Sequence, residues 1–204
     1  ALSSAQIQSL KATQVAALST DQIAKLGTSN TQALTSAQVK ALTTAQLDAM
    51  TTAQIAILDT ADVAALSATQ LKSLSTASIV ALTTDQITSL SATQIAALGT
   101  GQVAAIETAD LAKLTTAQIG ALTAAQIKSL TTGQIAALSS TQVQGLKATQ
   151  VAAFATDQIA NLSTSNTQAL TSAQIKALTT AQLDAMSTAQ IAVLDTADVA
   201  ALSA

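Results

Sequence analysis

Apolar and polar positions recur every eight residues along the whole of this sequence, from Ala1 to Ala204, with no insertion or deletion. Positions 2, 10, 18 and so on to 202 hold Leu at 22 of 26 sites, and Met50, Ile106, Phe154 and Met186 keep the other four apolar. Positions 7, 15 and so on to 199 hold Ile, Val or Leu at 23 of 25 sites, with Thr31 and Thr167 as the exceptions. Between them lies a polar site that is Gln at 19 of 25, replaced elsewhere by Asn30, Asp62, Ser78, Asp110, Asn166 and Asp198. Two strictly apolar sites and a looser polar remainder are the mark of a packed repeat, strict inside and variable outside.

The unit is clearest at Leu114–Ala121, LTTAQIGA. Thr115, like Thr35, Thr43, Thr51, Asp59 and Ser67, can accept a hydrogen bond from an exposed backbone N–H, and Gln118 follows three residues later. That spacing is a capping box, in which cap oxygen and N3 side chain satisfy helix-start donors reciprocally. Ile119, Ala121 and Leu122 then give an apolar spacing suited to one face of a helical turn, and Ala is the best helix former. Thr123 is already the next cap, so each helix is limited to five or six residues.

One long helix is a poor alternative. Eight residues at about 100° each carry the apolar stripe about 80° around the axis per repeat, so it never aligns with one partner. The Thr-Thr pairs would also lose side-chain freedom in a helix interior. A β-solenoid suits the Thr, Ile and Val content, but not the Ala-Gln-rich units or the three-residue apolar spacing. The pattern therefore predicts an all-α solenoid, a superhelical coil of short helices with one per octad.

A longer period overlies the octad. Residues 1–68 return as 137–204 with ten differences, among them Ile7/Val143, Leu18/Phe154, Lys25/Asn161 and Val39/Ile175. The shift of 136 residues is an odd number of octads, which would break any alternation of two helix types. All octads are thus expected to be equivalent, in one continuous array over 1–204: a super-repeat at 1–136, then a partial second copy at 137–204. The array starts and stops within an octad, so it reads as a piece of something longer. Its stability has to come from neighbouring repeats, with fraying toward the ends.

Composition narrows the chemistry. There is one aromatic residue, Phe154, and no Trp, Tyr, Pro, Cys, His or Arg. The core must therefore be built from Ile, Leu, Val and Ala. The net charge of −3 comes from 8 Lys and 11 acids scattered singly, leaving no basic patch for nucleic acid. Lys40, Lys72, Lys128 and Lys176 read as a solvated face. Without His or Cys, the many Ser and Thr hydroxyls have no usual base to activate them. No apolar run approaches the roughly 18 residues of a membrane span.

The acid pairs Asp59/Asp62, Glu107/Asp110 and Asp195/Asp198 lack the Gly turn and ligand density of a calcium loop. At cap and N3 positions they read as helix-start groups. Thr31 and Thr167 read as local defects whose hydroxyls bond to backbone, and the glycosylation triplet at Asn161-Leu162-Ser163 is absent from its twin Lys25-Leu26-Gly27. No catalytic, cofactor-binding or metal-binding residue is expected, and no cofactor.

Tandem octads such as LTTAQIGA, LTTAQLDA and LSATQIAA resemble the repeat tracts of giant bacterial surface and secreted proteins, of the kind labelled adhesins, haemagglutinins or haem-utilisation proteins. The resemblance covers the whole chain. It implies an extracellular or cell-surface stalk, spacer or self-associating filament, joined end to end or along a fibre, with neither nucleic acid nor membrane insertion. It does not extend to haem binding, since only Met50 and Met186 could ligate iron. The octad is also similar to the helix-starting phrase of modular DNA-binding repeats, without their length or basic charge. Two other readings remain open. One is binding of ice or surface polysaccharide through regularly spaced Thr44, Thr52, Thr60, Thr84 and Thr116; the other is a protein-binding scaffold that uses a groove along the coil.

Overall fold

The computed structural model describes residues 2–202; Ala1 and Ala204, the ends of the expected array, lie outside them, as does Ser203. Among the described residues there are 25 α-helices of four to seven residues, one per octad, and no strand. The fold is the helical solenoid that the octad predicts.

Each helix starts and stops for local reasons. At Thr115 the extended cap (φ −69°, ψ 159°) accepts from the Gln118 N–H at 3.2 Å, and Gln118 Oε1 accepts from the Thr115 N–H at 2.7 Å. The helix ends five residues later, where the Leu122 N–H closes a tight turn on the Ile119 carbonyl at 3.1 Å. Where Leu or Met is the C-cap, as at Leu42 (φ −58°, ψ 135°) and Met50 (φ −64°, ψ 140°), the backbone is extended and the extended cap residue follows. Two such residues in succession redirect the chain with no left-handed conformation, and none occurs among the described residues. This is how the chain turns once per octad with six Gly and no Pro.

The chain divides into two compact units, Ala1–Ala105 and Ile106–Ala204. In the first, each helix packs on the third helix after it. Thus α1 (Ser4–Ser9) packs on α4 (Thr28–Gln32), α2 (Ala12–Ala16) on α5 (Ser36–Ala41), and so on to α10 (Thr76–Val80) on α13 (Thr100–Ala105). The second unit repeats the rule from α14 (Thr108–Leu111) on α17 (Thr132–Ala136) to α22 (Ser172–Lys176) on α25 (Thr196–Leu202). The seam of the longer period falls within this unit, after Ala136. The octad register crosses it unbroken into α18 (Ser140–Gln144).

The two apolar sites form the core of each unit. Ile55, Leu58, Ile119 and Leu122 are buried, while Lys40, Lys72, Lys128 and Lys176 are exposed. Small residues let helices approach closely. A Cβ at Gly120 of α15 (Thr116–Gly120) would lie 3.1 Å from the Gly145 carbonyl oxygen, just beyond α18, and one at Gly145 would lie 3.1 Å from Thr116 Cβ.

Candidate functional site

The one concentrated polar feature of the interior is the row of Gln side chains, and its position corrects the sequence reading. The octad pattern puts Gln on the loose outer face. From Gln38 onward, however, the Gln residues of the buried set are only 1 to 7% exposed.

The reason lies in the backbone. A helix of five residues leaves most of its N–H and C=O groups without partners inside the helix. Gln38 serves both ends at once. Its Oε1 accepts from the Thr35 N–H at 2.8 Å, completing the start of α5. Its Nε2 donates to the carbonyls of Ile7 at 2.7 Å and Leu10 at 2.8 Å, completing the end of α1 on the preceding coil. The same pair of bonds, reaching 31 and 28 residues back, recurs at Gln54, Gln102, Gln158, Gln174 and Gln190. A reach of 28 residues is three and a half octads. Each helix start therefore sits over the gap between the third and fourth helices before it. Buried ladders of side-chain amides are expected of β-like stacks; here one coexists with the reciprocal capping box in an all-helical fold.

The substituted Gln sites show what the amide supplies. Asn30 and Asn166 keep the donor, with Nδ2 to the Leu2 carbonyl at 2.9 Å and to the Leu138 carbonyl at 2.7 Å. Acids lose it. Asp198 Oδ1 accepts from Ser172 Oγ at 3.0 Å. Asp62 is buried, and its Oδ1 has no partner. Ser78 meets the Ser75 hydroxyl at 2.9 Å.

The caps also depart from expectation in places. Asp195 caps, accepting from the Asp198 N–H at 2.8 Å, but Asp59 and Glu107 make no side-chain cap bond, so two of the three acid pairs are not cap pairs. At Lys11, Lys147 and Ala155 only the Gln half of the box forms. Thr31 and Thr167 are buried, with their hydroxyls donating to the carbonyls of Gly27 at 3.2 Å and Ser163 at 3.0 Å, as read from the sequence. Asn161 is exposed, and its Nδ2 donates to the Asp157 carbonyl at 2.8 Å.

Thr44, Thr52, Thr60, Thr84 and Thr116 are all exposed, each at the first position of its helix. The surface depressions are open grooves between coils lined mainly by Ala, one of them by Ala124, Lys128, Ala152, Phe154 and Thr156. Among the described residues no three acids come together as a metal site, and no helix is long and apolar enough to cross a membrane. What this polar row does chemically is join coil to coil.

The sequence matches the family model of the ALTTAQ repeat over residues 1–28, 31–60, 55–92, 103–140, 133–164 and 167–204. The hexapeptide itself stands at Ala41–Gln46 and Ala177–Gln182. No curated protein matches the chain.

Proposed function

Because the chain belongs to the ALTTAQ repeat family, and each family unit is completed by its neighbours, we propose that it is a structural array: a spacer or stalk whose reach is set by its number of octads. The observation that carries this reading is the double use of the buried Gln amides, as at Gln38, which commits the interior's polar groups to coil-to-coil bonds. The same reading makes the chain no enzyme, since it has neither His nor Cys to activate its many hydroxyls. The resemblance to octad tracts of giant bacterial surface proteins supports a spacer on the cell surface or in the secreted space.

Small-angle scattering tests the spacer directly. A chain extended in register by one more 136-residue module, kept dilute enough to be monomeric, should gain maximum dimension in proportion to its added octads at constant helix content per residue. A longer chain no greater in maximum dimension would refute the spacer. Antibody labelling of intact producing cells tests the location.

A further inference from the structure

An acid at the Gln site sets an acceptor against an acceptor. The ladder passes without a slip through the octads around Asp62: Gln54 donates to the carbonyls 31 and 28 residues back, and Gln70 to those 30 and 28 back. The same register sets Asp62 over the carbonyls of Thr31 and Leu34. A side chain of its length spans the joint, because Asn30 and Asn166 place Nδ2 on the carbonyl 28 residues back at 2.9 and 2.7 Å. Asp62 brings an oxygen where Asn brings an N–H. It is 4% exposed, and its Oδ1 has no partner.

Two further oxygens belong to the same place. Cap and N3 side chains are neighbours: their oxygens lie 2.9 Å apart at Ser67/Gln70 and Thr115/Gln118, and 3.1 Å apart at Thr171/Gln174. At Asp59/Asp62 both are carboxylates, and Asp59 is exposed and makes no cap bond with its own helix. The twin of Asp62 shows the other oxygen. Asp198 Oδ1 accepts from the Ser172 hydroxyl, 26 residues back, at 3.0 Å, and Ser36 is the counterpart of Ser172.

We propose that Asp62 anchors a calcium site between two coils, with Asp59 as the second carboxylate and the carbonyls of Thr31 and Leu34 and the Ser36 hydroxyl completing an all-oxygen set. Hard oxygen ligands in adaptable geometry suit calcium, whereas magnesium demands a near-ideal octahedron. Two carboxylates balance the charge of the ion, as a buried position requires, and the exposed Asp59 leaves a way in. The ligand density that a calcium loop holds in one stretch of sequence is here divided between two coils. The ion does at this joint what the Gln amide does at the others, giving the carbonyls of the preceding coil a positive partner. In the second copy Asp195 is bonded to the Asp198 N–H at 2.8 Å, so the first copy is the better site. The site is independent of the spacer reading, and either can fail alone.

Amide exchange of the 204-residue chain, in chelator and in about 10 mM calcium, tests the site. At a Kd of about 1 mM, the weak end of calcium-binding modules, calcium should slow exchange about tenfold over residues 31–36 and 59–63. Asp62→Asn should abolish that response and leave the helices intact in chelator, because Asn30 and Asn166 already stand at this site. Asp59→Asn, which keeps a capping residue, should weaken it. Asp48→Asn, at an exposed acid outside the set, should leave it whole. The proposal is overturned if calcium leaves both segments unchanged or if Asp62→Asn responds as the unaltered chain does. Equal protection by magnesium at the same concentration would also overturn it, since screening of the net charge would then suffice.

Discussion

Residues 1–68 and 137–204 are nearly the same sequence in different surroundings, and their differences in burial follow position more than composition. Gln22 and Gln158 stand in the same five residues TDQIA, yet Gln22 is exposed with only its cap bond, whereas Gln158 is buried and donates to Ile127 and Leu130 at 3.0 and 2.6 Å. At the Ile/Val site the contrast reverses. Ile55 is 1% exposed and its twin Ile191 44%. An octad therefore encodes two half-interfaces, and burial is conferred by the coil that fills each half. The two halves also differ in chemistry: the backward face carries the Gln amide, the forward face carries Ile or Val with the carbonyls, and the Leu site is less covered at either end.

The largest effect that separates the twins is apolar. Ile55→Ala should destabilise its unit by about 2–5 kcal/mol through lost burial and a residual cavity, while Ile191→Ala should cost less than about 1 kcal/mol. Urea titration followed by site-resolved amide exchange measures both; equal losses would mean that the trailing octads are covered after all.

A smaller effect of opposite sign is expected where the amide is missing. Asp62→Gln restores the donor and removes a buried carboxylate oxygen that has no partner. It should stabilise the surrounding coils by about 1–2 kcal/mol, seen as a higher urea midpoint with unchanged slope. A loss of stability would show that the pocket at Asp62 has closed around the shorter side chain.

Much of this is legible in the sequence. The capping box, the helix length and the two apolar sites follow from eight residues of local chemistry, and Thr115, Ile119, Leu122 and the cap bond of Gln118 behave as read. The stacking of each helix on the third after it is not legible, because a strict period of eight gives every octad the same claim on every other. The burial of Gln is hidden as well, because variation at its site reads as exposure. A signal was available: a capping box accepts Glu as readily as Gln, yet none of the 25 N3 sites carries Glu. An amide at 21 of the 25 sites, with Asp only at 62, 110 and 198, marks a position that donates as well as accepts in most octads. The acid pairs mislead in the opposite way, since Asp59 and Glu107 have the composition of caps without making the bond.

The claim that one Gln amide closes two helices on neighbouring coils is tested most directly by the isosteric change at the twin positions. Gln158→Glu and Gln22→Glu both keep an acceptor for the cap N–H of Ala155 and Ser19, and both delete the donor. At Gln158 the change also sets a buried carboxylate against the carbonyls of Ile127 and Leu130. Global stability should fall by about 3 kcal/mol or more for Gln158→Glu and by less than about 0.5 kcal/mol for Gln22→Glu, measured in the monomeric chain. Equal effects at the two sites, or a Gln158→Glu chain as stable as the original, would contradict it.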